Sequence, residues 1–460
     1  MRQNLLLGLL LCGAISATAS AGVREDRLLQ AISGGDHAAI KALLAQHANP
    51  NAPLPDKSTP LAWAVNRQDE ESVRLLLKAG AKPNVLDVDG ASPFLLACEL
   101  GEPDIVADLL KAGADAKAAR PDGISALALC ATTSTPATLE NLIARGADVN
   151  GADLQGQTAL MRAAAKGDTD NMAVLIKHGA NVNAATKKGF TALLFALKSK
   201  VPAASVMLAD AGADTKAALP DGTSMIQAAI MEHNIPFAMR LVAQLDNMSQ
   251  TDKRGRQLIH VAALSGSADL VKLVLSKGGD PNAVTPLAKT VLVNVLDHSA
   301  GLNESGVARV IKKVPTVPAL PACSAPALLM AAAAGSAPAM KALIEAGAKT
   351  DAKAQDGSTL ALAAAAGGNL EALKYALELD PNVDIKTLDG RSIIHVVIEH
   401  EHGADDQAMI QYLVDKGAKL EQLDNAGHTP GFVVNQRGPA PLRVMYIQLL
   451  KDHGLVSPFP

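Results

Sequence analysis

Apolar residues recur along the chain in short clusters with helical spacing. Val73, Leu76 and Leu77 form one cluster and Leu270, Leu273 and Val274 another. Residues three and four apart lie on one face of a helix, so each cluster predicts a short amphipathic helix. The clusters come in pairs, each preceded by a turn dipeptide. Asp89-Gly90, Asp122-Gly123, Gln155-Gly156, Lys188-Gly189, Asp221-Gly222 and Arg254-Gly255 follow one another every 33 residues, and Asp356-Gly357 and Asp389-Gly390 resume the interval. A period of this length with no long apolar run is the signature of a stack of supersecondary units.

Each unit reads in the same way. The turn glycine supplies a positive φ at no steric cost. Two residues later Ser92, Ser125, Thr158, Thr191 or Ser224 caps a first helix, accepting from its free N–H groups. A break follows, often with Gly, as at Gly101, Gly167 and Gly266. A second helix then stops at sequences such as Lys78-Ala79-Gly80-Ala81 and Lys177-His178-Gly179-Ala180, where a basic last turn and a glycine past the end are stop signals.

These residues carry a family resemblance. Ser58-Thr59-Pro60-Leu61-Ala62-Trp63-Ala64, Gly146-Ala147-Asp148-Val149-Asn150 and Gly179-Ala180-Asn181-Val182-Asn183 resemble ankyrin repeats. The resemblance implies an all-α ankyrin-repeat solenoid of helix-turn-helix units with β-hairpin-like turns. It also implies a non-catalytic scaffold that binds a protein partner through its concave face and turn tips. The histidine that such repeats often keep in the first helix appears here only as His260 and His395, where it is expected to bond to a neighbouring turn.

Thirteen units are expected between residues 22 and 454. The first has short helices over 27–32 and 38–46. Thr290 stays in register with the earlier caps while Pro326 follows 36 residues later, so 287–322 reads as a diverged repeat with a Pro-rich extension (Pro315, Pro318, Pro321). The unit from 389 has four extra residues, expected between its helices around Glu399 to Asp406. Residues 426–454 form a C-terminal cap and 455–460 a tail.

Composition narrows the function. Aromatic residues are 2% of the chain and charged residues 19%, with a net charge of −4. There is neither the basic excess nor the supply of stacking side chains that nucleic-acid binding draws on. Arg2, the apolar run Leu5 to Ile15 and Ala19-Ser20-Ala21 read as a bacterial signal peptide over 1–21, cleaved before Gly22. The expected product is a monomer without a membrane anchor, exported to the periplasm or secreted. The alternative is an exported effector that binds a host protein.

No nucleophile–base arrangement or phosphate loop stands out, and no enzyme activity or cofactor is expected. The densest polar cluster is Glu399-His400-Glu401-His402 with Asp405 and Asp406. His400 and His402 are the candidate ligands of a metal site, against the plainer reading of a solvated loop. Cys98 and Cys130 occupy alanine positions of adjacent first helices, expected to be too far apart for a disulfide. Large or adaptable side chains at variable first-helix positions, namely Trp63, Met161, Phe195, Gln227 and Met330, are the candidate protein-binding residues.

Overall fold

The structure is a computed structural model. It describes residues 19–456 apart from 56, 220–222, 253–254, 286–324, 355–356 and 400–403. Among these residues the regular structure is helical, and the only β pairing consists of isolated antiparallel bridges. The chain divides into two compact units, Met1–Asp214 and Thr215–Pro460.

Unit 1 contains six helix pairs: α1 (Ala19–Gly34) with α2 (His37–Ala45), α3 (Pro60–Asn66) with α4 (Glu70–Lys78), α5 (Pro93–Leu100) with α6 (Pro103–Lys111), α7 (Ala126–Cys130) with α8 (Pro136–Ala144), α9 (Ala159–Lys166) with α10 (Thr169–Lys177), and α11 (Ala192–Lys198) with α12 (Pro202–Asp210). First helices pack on first helices and second on second, so the unit has two helical layers. α1 begins at Ala19, well before the expected Arg27.

The caps form as the sequence requires. Oγ of Ser92, Ser125 and Thr158 accepts from the N–H three residues on, at 3.1, 3.2 and 3.3 Å. Thr191 makes no such bond. Three turns of this unit close by a bridge six residues wide, at Ala119–Ser125, Ala152–Thr158 and Ala185–Thr191. Successive tips are then joined by backbone hydrogen bonds, Leu154 N to Asp122 O and Lys187 N to Gln155 O, both 2.9 Å. Gly90 shows why the tip needs glycine. Its φ is +73°, and a Cβ there would stand 2.4 Å from the Pro121 ring of the next tip. At the far end of several repeats an asparagine brackets the next: Asn150 Nδ2 donates to Gly179 O (3.1 Å) while its Oδ1 accepts from Asn181 N (2.7 Å), and Asn51, Asn84 and Asn183 do the same.

Unit 2 repeats the scheme with α13 (Met225–Met231) and α14 (Ile235–Ala243), α15 (Leu258–Leu264) and α16 (Ala268–Ser276), α17 (Ala327–Ala333) and α18 (Ala337–Glu345), α19 (Leu360–Ala366) and α20 (Leu370–Leu379), α21 (Ile393–Glu399) and α22 (Ala404–Asp415), and α23 (Pro430–Arg437) and α24 (Ala440–Asp452). The last pair is where the cap was expected. Tyr446 is buried there and donates to Leu420 O at 2.8 Å.

One expectation is corrected. The diverged repeat at 287–322 lies outside the described residues, but the pairs on either side of it stack directly on each other. α15 packs on α17 and α16 on α18. Asn282 brackets Gly347 O (2.9 Å) and Lys349 N (3.0 Å) across the gap. Val284 bridges Pro326, and Ala325 N donates to Thr285 Oγ1 at 3.3 Å, as Phe190 N does to Thr186 Oγ1 in an ordinary turn. Every stacking contact is thus already satisfied, and 286–324 is an insertion in one turn rather than a layer of the stack. Twelve helix pairs stand among the described residues. Of the stretch expected to hold the four extra residues of the later unit, 400–403 lie outside the described residues and Ala404–Asp406 open α22. α22 has 12 residues where α10, α16 and α18 have 9, so most of the extra residues lengthen a helix.

Candidate protein-binding surface

The fourth residue after each cap faces away from the second helices, and its exposure differs between the units. In unit 1 Trp63, Leu96, Arg162 and Phe195 are half-buried at this position, while Leu129 is buried. In unit 2 the equivalent Ala228, Val261, Met330, Ala363 and Val396 are buried, and Val433 in the last pair is half-buried. At this register position the open side chains larger than Val are therefore those of unit 1.

Two of the expected binding residues are corrected on this ground. Met330 is 0% exposed because α17 is packed between α15 and α19. Met161 is 1% exposed between α7 and α11 and reaches the surface only as the floor of a groove. Gln227 is half-buried but committed to folding: its Oε1 accepts from Ser224 N at 3.1 Å, closing the cap of α13. Trp63 and Phe195 keep exposed area. Leu96 and Arg162 belong with them and were missed; the signal was the register itself, which puts bulk where other repeats have Ala or Val.

Two depressions lie on this face. The first, about 260 Å³, is lined by Ala62, Ser92, Leu96, Glu99 and Arg120 below the carboxylates of Asp87, Asp89 and Asp122. Arg120 is paired with Glu99, and its Nε has no hydrogen-bond partner. The second, about 280 Å³, is lined by Thr132, Gln157, Met161, Arg162, Ala165 and Phe195, with Lys166 at its edge. Arg162 pairs with Asp153 at 3.1 Å. The second helices carry ties between repeats instead: Arg74 Nε to Asp108 (2.8 Å) and Lys177 to Glu140 (2.9 Å). Burial would raise the Asp108 carboxyl, but hydrogen bonds from Arg74 and Lys111 outweigh it and hold it below its ordinary value.

The other candidates for chemistry have structural employment. His260 Nδ1 accepts from Gln257 N (3.1 Å), and its Nε2 bonds to Ala283 O (2.9 Å). His395 does the same with Ser392 N (3.1 Å) and His428 O (3.2 Å). Burial, first of all, holds both rings below the usual histidine range. His400 and His402 lie outside the described residues; Glu399 beside them is turned to Arg391, and among the described residues no group of three metal-ligating side chains comes together. Cys98 and Cys130 are free and buried. Burial and then hydrogen bonding with Cys130 push the Cys98 thiol well up. Cys323 lies outside the described residues.

The model for ankyrin repeats in three copies matches residues 28–120, 127–218 and 328–425, and the single-repeat model matches 254–286. The matches stop and resume on either side of the insertion. No curated protein matches the chain. Among solved structures it is similar to the ankyrin repeat domain of Bcl-3, described as a unique member of the IkappaB protein family. The two are 29% identical over 44% of this chain and 92% of that one, with a TM-score of 0.38.

Proposed function

The chain belongs to the ankyrin-repeat family, and from that premise we propose that it is a non-catalytic scaffold whose first-helix face and turn tips bind a protein partner. Ankyrin repeats mediate protein–protein interaction and are typically non-enzymatic. The observation that carries the reading is the half-open row Trp63, Leu96, Arg162 and Phe195 in unit 1, against the ion-paired second helices. Large amphipathic or apolar groups left open on a face are binding anchors when a partner covers them. Both depressions open on this row.

The same proposal places the protein outside the cytoplasm, in the periplasm, with its mature start at Gly22. Arg2, the apolar run after it and Ala19-Ser20-Ala21 support this. Among the described residues no helix is long and apolar enough to cross a membrane.

The test is site-specific photo-crosslinking in the exporting cell. A photoreactive side chain at position 63, 96 or 195 is expected to trap a partner of one defined mass. The same group at Arg74, Glu140 or Lys341, on the second helices, is expected to trap none. Adducts confined to the second-helix positions would overturn the proposal.

A further inference from the structure

Resting on that reading, the groove beside Phe195 restricts the chemistry of what it binds. Its centre is apolar. Met161 and Ala165 form the floor, Phe195 forms a wall, and Phe190 stands beside Phe195 with ring centroids 6.5 Å apart, tilted by 53°. Phe190 and Phe195 hold in their repeat the positions that Gln157 and Arg162 hold in the one before, so the apolar strip runs on from the groove into the next repeat. Its rim is cationic. Lys166 lines the edge, Lys198 occupies in α11 the position of Ala165 in α9, and Lys187 and Lys188 form the tip just before Phe190.

These four lysines are exposed, and none has an ion pair among the described residues. Arg162 is different, because Asp153 matches its charge. From Asp153 to Lys200 there are seven basic and three acidic residues in a chain of net charge −4, with Lys177 paired to Glu140 on the second helices. The acidic depression at Asp87, Asp89 and Asp122 lies further towards the N-terminus and repels a uniformly anionic strand laid along the face. A short acidic stretch with an apolar centre meets the lysines without that repulsion; a nucleic acid does not.

We propose that this groove takes an apolar side chain of an extended partner segment whose flanking carboxylates meet Lys166, Lys187, Lys188 and Lys198. The apolar contact anchors the segment, and the lysines select its charge and speed its arrival.

The experiment selects phage-displayed random dodecapeptides on the full chain. Enriched peptides are expected to share a Phe, Leu or Met within a few residues of two or more carboxylates. A fluorescein-labelled peptide of that consensus is expected to lose about tenfold or more in affinity with Phe195→Ser, and likewise with Lys187→Glu, Lys188→Glu and Lys198→Glu combined. It should also weaken as salt rises from about 50 to about 200 mM. All these positions have exposed area, so unchanged urea midpoints are expected to confirm folding. A neutral or basic consensus, no enrichment, or binding indifferent to these variants overturns the proposal. So does tighter binding of a labelled single-stranded oligonucleotide that the same variants abolish. Peptides lost on Trp63→Ser but not on Phe195→Ser would leave the scaffold reading standing and move the site. Absence of both peptides and photo-adducts would remove the two together.

Discussion

Excising the insertion should leave the stack intact and slightly more stable. The variant keeps Thr285 and Ala325 and replaces 286–324 by a three-residue tip copied from Lys187-Lys188-Gly189. The junction is already built for it: Thr285 Oγ1 and Ala325 N bond at 3.3 Å, as Thr186 and Phe190 do at 3.0 Å around that ordinary tip. The bridge Val284–Pro326 now closes a loop of 41 residues, and Ala185–Thr191 closes one of 5. Loop-closure entropy grows as (3/2)RT ln n, so shortening one to the other stabilises the folded state by about 2 kcal/mol. The figure is an upper bound, since very short loops deviate from the rule. The assay is urea unfolding of both chains followed by circular dichroism. The expected result is an equal or higher midpoint with the helical signal of the twelve pairs retained. If 287–322 were instead a layer of the stack, excision would remove interfaces on both sides, as expected for a nearest-neighbour array. A clear fall in midpoint would refute the reasoning.

Three further outcomes follow from buried groups. Acidification should destabilise the protein below about pH 6.5, because the unfolded chain then binds protons that His260 and His395 refuse when folded. Both folded-state values are lowered, so this stability is complete above the unfolded value and is lost as pH falls from there through the folded value. The double variant His260→Gln with His395→Gln should flatten the dependence of the urea midpoint between pH 7.5 and 5.5, and an unchanged slope would count against it. Cys98 and Cys130, both buried, should resist a thiol reagent in the folded chain and react on unfolding; fast labelling of either in the native state would contradict the packing. Tyr446→Phe should cost about 1–3 kcal/mol in urea unfolding, because it strands the buried Leu420 carbonyl; no change would mean that water takes the place of the hydroxyl.

The repeat, its caps and its stops were legible because each rests on local chemistry: Gly in a turn, Ser or Thr before a helix, Gly after one. The roles of His260 and His395 were legible for the same reason. What the sequence hid was long-range. Thr290 falls in register by coincidence of length, and only the bracket from Asn282 to Gly347 and Lys349 reveals which repeats touch. Exposure was hidden too. Met161 and Met330 are as bulky and adaptable as any anchor residue, yet packing on both sides buries them. Neighbours of like character differ in the same way: in α11 Leu194 is buried while Phe195, one residue on, is half-buried.

The bonds between tips bear on the point at which the chain departs from its period, although Pro220 stands at the same register position with no added chain. Leu154 and Lys187 each give an N–H to the preceding tip. Pro121 and Pro286 stand at the same register position, and proline has no N–H to give. At Pro121 the ring packs against Gly90 instead, which is why no side chain fits there. An insertion that begins at Pro286 therefore interrupts no tip-to-tip hydrogen bond from that position. The remaining ties of that boundary lie elsewhere: the Asn282 bracket at the opposite end of the unit, and the contacts of α15 with α17 and of α16 with α18. Added chain at such a tip costs only closure entropy, whereas the same length placed inside a helix or at the asparagine bracket would break contacts on two neighbours at once. That difference explains how one boundary can span 286–324 and keep the geometry of a boundary whose tip has three residues.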